Sequence, residues 1–268
     1  SAMPAEPAMG AFRDQVVLIS GAASGFGALA AERFGAEGAR LILSDRDVAG
    51  LEGIAGRVQA AGVEAVAEPA DVTDPDSAGR LVALALARHG RLDIAVNNAG
   101  IVNAPARLPE ISRAEARAVI EVDLLGLFWA LQAQLPQMER QFRETGRGGA
   151  IVNIASVAGL VGSPTLSIYA AAKHGVVGLT RSAAMEYARR GVRVNAICPA
   201  YARTPMVEAI LGRAADPAAA EAEMVRGVPM RRLAEPTEVV QAILWAAQPG
   251  NSFMTGQAIA IDGGITGY

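Results

Sequence analysis

The hydrophobic pattern switches repeatedly between short apolar runs and longer stretches with helical spacing. Residues 16–20, Val-Val-Leu-Ile-Ser, form a continuous apolar run closed by Gly21, as expected of a strand buried on both faces. A helical stretch from Gly25 to about Glu37 follows, with Gly38 as its stop. Residues 41–45 read as a strand and 48–61 as a helix, while 63–67 form a weaker, more polar strand suited to a sheet edge. Asp74 is expected to cap a third helix reaching Arg88, and 92–96 is a fourth strand. The longest helical pattern runs from Arg113 to about Phe142, with a bend expected at Pro136. Strands at 150–155, 192–197 and 257–262 alternate with helices at 167–190 and from about Glu235. Regular β-α alternation without internal repeats or a long linker predicts an α/β domain, a parallel sheet of about seven strands with helices on both faces. That domain spans 12–268, and residues 1–11 read as a leader or cloning remnant.

Composition narrows the picture. Of the 268 residues, 51% are hydrophobic but only 4% aromatic, so the core must be built mainly from Ala, Val, Leu and Ile. A net charge of -3 argues against nucleic acid as a partner. Cys198 is the only cysteine, which excludes an intrachain disulfide framework and a multi-cysteine metal site. His89 and His174 are the only histidines and lie far apart, so no metal site is expected. No contiguous apolar run approaches the ~20 residues of a membrane span, and the N-terminus lacks the pattern of a signal peptide. The expectation is a cytoplasmic, reduced protein with neither membrane nor nucleic-acid partner.

The first strand-to-helix junction, Ser20-Gly21-Ala22-Ala23-Ser24-Gly25-Phe26-Gly27, is glycine-rich. Glycines there permit a tight turn and let backbone N–H groups approach a pyrophosphate at a helix N-terminus, the hallmark of a doubly wound Rossmann-type fold. The spacing is G-x-x-x-G-x-G rather than the more usual G-x-G-x-x-G. Asp45 ends the second strand 18 residues beyond Gly27, where an acidic residue would bind ribose hydroxyls and repel a 2′-phosphate. This favours NAD over NADP. Arg46 beside it could instead reach toward a 2′-phosphate or only cap a surface helix.

A second group of residues suggests proton chemistry. Tyr169 and Lys173 are four apart, on one face of a helix, and Ser156 follows an apolar strand. A free phenol, with pKa ≈ 10, is a poor base near neutrality, and a nearby ammonium favours the phenolate. Lys173 could supply that charge and also bond the nicotinamide ribose. Ser156 could polarise a substrate oxygen.

These residues, with Asp71-Val72, Asn97-Asn98-Ala99-Gly100, Pro199 and Asp262-Gly263-Gly264, resemble the short-chain dehydrogenase/reductase family from Gly21 to Gly264. The resemblance implies a nicotinamide-dependent oxidoreductase acting on a secondary alcohol and its ketone. It places Ser156, Tyr169 and Lys173 in catalysis, and Gly21, Ser24, Gly25, Phe26, Gly27 and Asp45, together with Tyr169 and Lys173, against the cofactor. It adds Asp71 and Val72 at the adenine, Asn98, Ala99 and Gly100 along the ribose, and Pro199 and Thr204 near the carboxamide. Asn97 is expected to be structural. A homotetramer is also implied.

Two positions depart from the family. Asp123 stands where an asparagine usually helps to hold a proton-relay water. We expect it to keep that water through its backbone carbonyl and to add negative charge near Lys173. Ala200 replaces a common glycine after Pro199. His174 is expected to pack or to lie at an interface, and Cys198 to be an inert small hydrophobe. Residues 200–228 are read as a substrate lid, with Tyr201, Thr204, Met206, Val207, Ile210 and Leu211 as an apolar wall, joined by Val157, Ala158 and Leu160. Arg203, Arg213 and Arg226 are expected in solvent, or facing an anionic substrate. The pocket suggests an apolar or aromatic alcohol. Alternatives are an NADP-dependent 3-oxoacyl or ketone reductase and a non-catalytic cofactor-binding regulator.

Overall fold

A computed structural model describes residues 10–267; the side chains of Met206 and Ile210 lie outside the described residues. The strands are β1 Val16–Ser20, β2 Arg40–Ser44, β3 Ala65–Ala67, β4 Ile94–Asn97, β5 Gly149–Ile154, β6 Val192–Pro199 and β7 Ala258–Ile261. All pair in parallel, in the order β3-β2-β1-β4-β5-β6-β7. The helices are α1 Gly25–Ala36, α2 Val48–Ala60, α3 Ser77–His89, α4 Arg113–Ile120, α5 Gly126–Thr145, α6 Ser167–Tyr187, α7 Pro205–Leu211, α8 Pro217–Met224 and α9 Pro236–Ala247.

Period-two alternation along the strands builds two cores. Val17 and Ile19 of β1 face α1, α2 and α9, where Phe34, Leu51 and Ile243 are fully buried. Val16 and Leu18 point the other way, into a core closed by α3, α5 and α6. Strand order reverses at β1, so the loops after β1 and β4 diverge at their carboxyl ends and open a crevice.

Several boundaries differ from the sequence reading. The third strand is shorter, starting at Ala65, and α3 begins at Ser77. Asp74 belongs to the preceding turn, where its carboxylate accepts from the Asp76 N–H and pairs with Arg80. The helix expected from Arg113 is broken at Glu121–Leu125 by a π-helical turn, not at Pro136, which α5 accommodates in its interior. Arg113–Thr145 contains an 18-residue window of mean hydropathy 1.4. Much of that apolarity is core: Leu127, Leu131, Leu135 and Met138 pack beneath the sheet.

Candidate active site

The β1–α1 turn is shaped by two glycines. Gly21 has φ +66°, and a Cβ there would lie 2.8 Å from the Ala99 backbone. A Cβ on Gly27 would lie 2.1 Å from the Gly21 carbonyl oxygen, so turn and helix can close only without side chains. Ser24 precedes α1 in extended conformation, and its side chain does not cap the helix. The first-turn N–H groups are thereby left for another acceptor. Asn98 donates from Nδ2 to the Gly21 carbonyl at 2.8 Å and ties the β4 loop to this turn. Asp45 is held at β2's end, accepting from the N–H groups of Ala23 and Asp47, each at 3.0 Å. Asp71 accepts from the Thr73 N–H and hydroxyl at 2.9 and 2.8 Å, so its turn-forming role coexists with a place in the crevice.

At the other end, β5 delivers Ser156 and the first turn of α6 delivers Tyr169. Ser156 Oγ accepts from the Ala158 N–H at 3.1 Å and makes a long contact of 3.5 Å to the Pro199 carbonyl. Lys173 is 4% exposed; its Nζ donates to the Ile154 carbonyl at 3.0 Å, lies 3.1 Å from Asp123 Oδ2 and sits 5.5 Å from the Tyr169 ring centroid. Burial by itself would lower the ammonium's proton affinity. The charge of Asp123 foremost, with a smaller contribution from Tyr169, outweighs it and holds Lys173 above the ordinary lysine value.

One crevice of about 400 Å³ joins both ends. Its lining contains Ser156, Tyr169, Lys173, Asp123, Gly21, Ser24, Gly25, Phe26, Asp45, Asp71, Val72, Asn98, Ala99, Gly100, Pro199 and Thr204. Gly27 alone among the expected site residues is absent from the lining, because it is consumed in turn packing. Asn97 is structural: it exchanges hydrogen bonds with Gln134 and donates to Asn153, whose own amide reaches Thr180.

The substrate end needs correction. Tyr201, Val207, Val157 and Ala158 line it, but Leu211 turns into a separate small core with Val225, Val228 and Leu233. Leu160 packs toward the sheet. Val102, Ser163 and Leu166, which sequence reasoning passed over, complete the wall. They lie in loops with no periodicity to mark them. Arg203 is clasped by Glu208 and Glu221 at 3.0 and 2.7 Å, Arg226 pairs with Glu223, and neither lines the crevice, nor does Arg213. His174 is exposed, with Nδ1 2.9 Å from the Ala170 carbonyl. Cys198 is buried, and burial pushes its thiol up to about 11. Among the described residues, no cluster of three or more His, Cys, Asp or Glu could hold a metal ion.

The sequence profile of a family described as enoyl-(acyl carrier protein) reductase matches residues 21–266. The cis-4-hydroxycyclohexanecarboxylate dehydrogenase of Sinomonas cyclohexanicum is 41% identical over 96% of this chain and 98% of its own length. The cyclohexanol dehydrogenase of Acinetobacter sp. strain SE19 is 36% identical over 95% of this chain and 96% of its own. The structure of a 3-ketoacyl-(acyl-carrier-protein) reductase from Brucella melitensis, complexed with NADH, superposes with a TM-score of 0.86 at 31% identity, covering 95% of this chain and 99% of that one. The chain belongs to the short-chain dehydrogenase/reductase family of nicotinamide-dependent oxidoreductases. Relatives of this similarity include dehydrogenases of cyclic secondary alcohols.

Proposed function

We propose that this protein is an NAD-dependent dehydrogenase/reductase interconverting a neutral, apolar cyclic or aromatic secondary alcohol and its ketone. The observation that carries this reading is the convergence of Ser156, Tyr169 and Lys173 on one crevice whose far end holds Asp45. The nucleotide end fits a dinucleotide: the turn is free of side chains where a Cβ would clash, and no side chain caps the first turn of α1. Asp45, fixed by two backbone amides, would accept from the adenosine ribose hydroxyls, and its charge opposes a 2′-phosphate.

When bound, the nicotinamide accepts or donates the hydride. In the oxidative direction Tyr169 takes the proton of the alcohol hydroxyl at its phenolic oxygen, and Lys173 stabilises the negative charge formed there. Ser156 donates a hydrogen bond to the substrate oxygen and orients it toward that exchange. Val102, Val157, Leu166 and Val207 exclude water from the reacting carbon.

The charges present support the reading of a neutral substrate. Lys173 is paired with Asp123, Arg203 is engaged by two glutamates outside the crevice, and Arg46, the other cation in the described lining, lies beside Asp45 at the nucleotide end. Phe128 on α5 and Met185 on α6 are exposed, in keeping with pairing of these helices in a homotetramer. A single cysteine, buried and unpaired, fits a reducing, cytoplasmic setting. The test is formation of reduced nicotinamide from NAD or NADP with cyclohexanol, 4-hydroxycyclohexanecarboxylate, an aromatic secondary alcohol and a 3-hydroxyacyl thioester. Turnover is expected with NAD and the neutral alcohols. Preference for NADP with the thioester would replace this reading by the 3-oxoacyl reductase one.

A further inference from the structure

The π-helical turn Glu121–Leu125 places the Asp123 side chain in the interior, 2% exposed. One of its oxygens faces a backbone donor and the other a cation. Oδ1 accepts from the Ile101 N–H at 2.8 Å, and Oδ2 lies 3.1 Å from Lys173 Nζ. The Oδ2 contact is an ion pair without the alignment of a hydrogen bond. Gly100 closes the pair: a Cβ there would lie 3.3 Å from Nζ and 3.4 Å from Oδ2. An asparagine could turn its oxygen to only one of these partners and would present N–H groups to the other.

We propose that Asp123 is a positioning residue that compensates the charge of Lys173, so that Tyr169 keeps its proton to higher pH than the lysine alone would permit. The inference rests on the reading of Tyr169 as the acid–base group. Proton counting supports it. With Asp123 as carboxylate, Lys173 as ammonium and Tyr169 as phenol, the cluster is neutral, and the phenolate form needed for alcohol oxidation carries one net negative charge. With asparagine at 123, the same two forms carry one positive charge and none. Asp123 and Lys173 are buried, and a buried pair resists acquiring net charge, so the proton leaves more readily from the asparagine cluster. This holds whichever member of the coupled group releases it.

Other charged groups do not alter the comparison. Cys198 on β6 faces Lys173 and remains a thiol until about pH 11. Asp262 and Arg181 act on Cys198 from farther out. Asp45, Arg46 and Asp71 line the nucleotide end of the same crevice. All are common to both forms of the protein. The native carboxylate thus extends the proton-donating state that ketone reduction uses, and alcohol oxidation rises only as the solution becomes more alkaline.

The experiment compares wild type, Asp123→Asn and Tyr169→Phe. The ultraviolet tyrosinate band of the cofactor-free protein is titrated, and the pH profile of kcat/KM is measured for alcohol oxidation. The part of the band that Tyr169→Phe removes is expected to move down by about one pH unit or more in Asp123→Asn, with the acid limb of oxidation following. An unchanged midpoint, or one moved upward, overturns the proposal. If Asp123→Asn does not fold, Asp123→Ser removes the charge with a smaller side chain and gives the same readout. Turnover by Tyr169→Phe would overturn the reading of Tyr169 itself, separately from the effect of charge.

Discussion

At Lys173 two opposed effects meet, and their balance sets the residue's role. Burial drives toward a neutral amine, whereas Asp123 and Tyr169 hold the proton in place. The raised value means the ammonium persists through the neutral range and is lost only well into alkaline solution. Lys173→Met should leave Tyr169 without its counter-charge and reduce kcat/KM by about 10²-fold or more, measured at neutral pH. At the opposite end, Asp45→Ser removes an anchored carboxylate. The NAD kcat/KM is expected to fall about tenfold, roughly 1.4 kcal/mol of transition-state binding, while that for NADP holds or rises. A retained preference for NAD would show that Asp45 serves only the Ala23 and Asp47 amides. These residues were readable from sequence because their spacing is a chemical signature. The ion pair of Asp123 was foreseen only as charge near Lys173; its side-chain bond to Ile101 requires three-dimensional placement.

Among the elements, the β1–α1 turn tolerates least. Gly27→Ala would force a methyl group into the Gly21 carbonyl and should destabilise the fold by about 1–3 kcal/mol or more, seen as a lower Tm and weaker cofactor binding. The central strands are pinned by Asn97, Asn153, Gln134 and Thr180. Asn153→Ala strands partners of a fully buried amide and should cost about 1–3 kcal/mol in denaturant unfolding. At the start of α9, Glu238 accepts from the Glu235 N–H and pairs with Arg232, whose hydrogen bonds lower its carboxyl to about 2. A depressed carboxyl stabilises the fold above its unfolded value and loses that contribution as pH falls toward about 2. Glu238→Gln should therefore lower stability slightly at neutral pH and match wild type in strong acid. Strands and helices were legible through their periods, since each buries a regular face. The π turn was not, because one inserted residue leaves hydrophobic spacing almost unchanged while rotating Asp123 inward. Proline drew attention to the wrong place in the same helix.

Over the whole molecule, a single reversal of strand order brings together residues separated by more than a hundred positions. Asp45, Asn98 and Tyr169 meet because β1 lies between β2 and β4, and β5 follows β4. The parallel order was implied by β-α alternation, and the crevice follows from it. Within residues 200–228 the individual roles were not legible: Leu211, like Leu160 earlier in the chain, looks like a pocket residue in sequence, yet each fills a separate packing space. Side chains in loops carry no period that distinguishes a wall from a core. In the proposed reaction this crevice exchanges a proton through Tyr169 while hydride passes to or from a nicotinamide. The most direct test measures NADH binding, by fluorescence, beside turnover of cyclohexanol in wild type and Tyr169→Phe. Near-equal binding with activity reduced by about 10³-fold or more is the predicted result; near-equal binding with activity retained would contradict it.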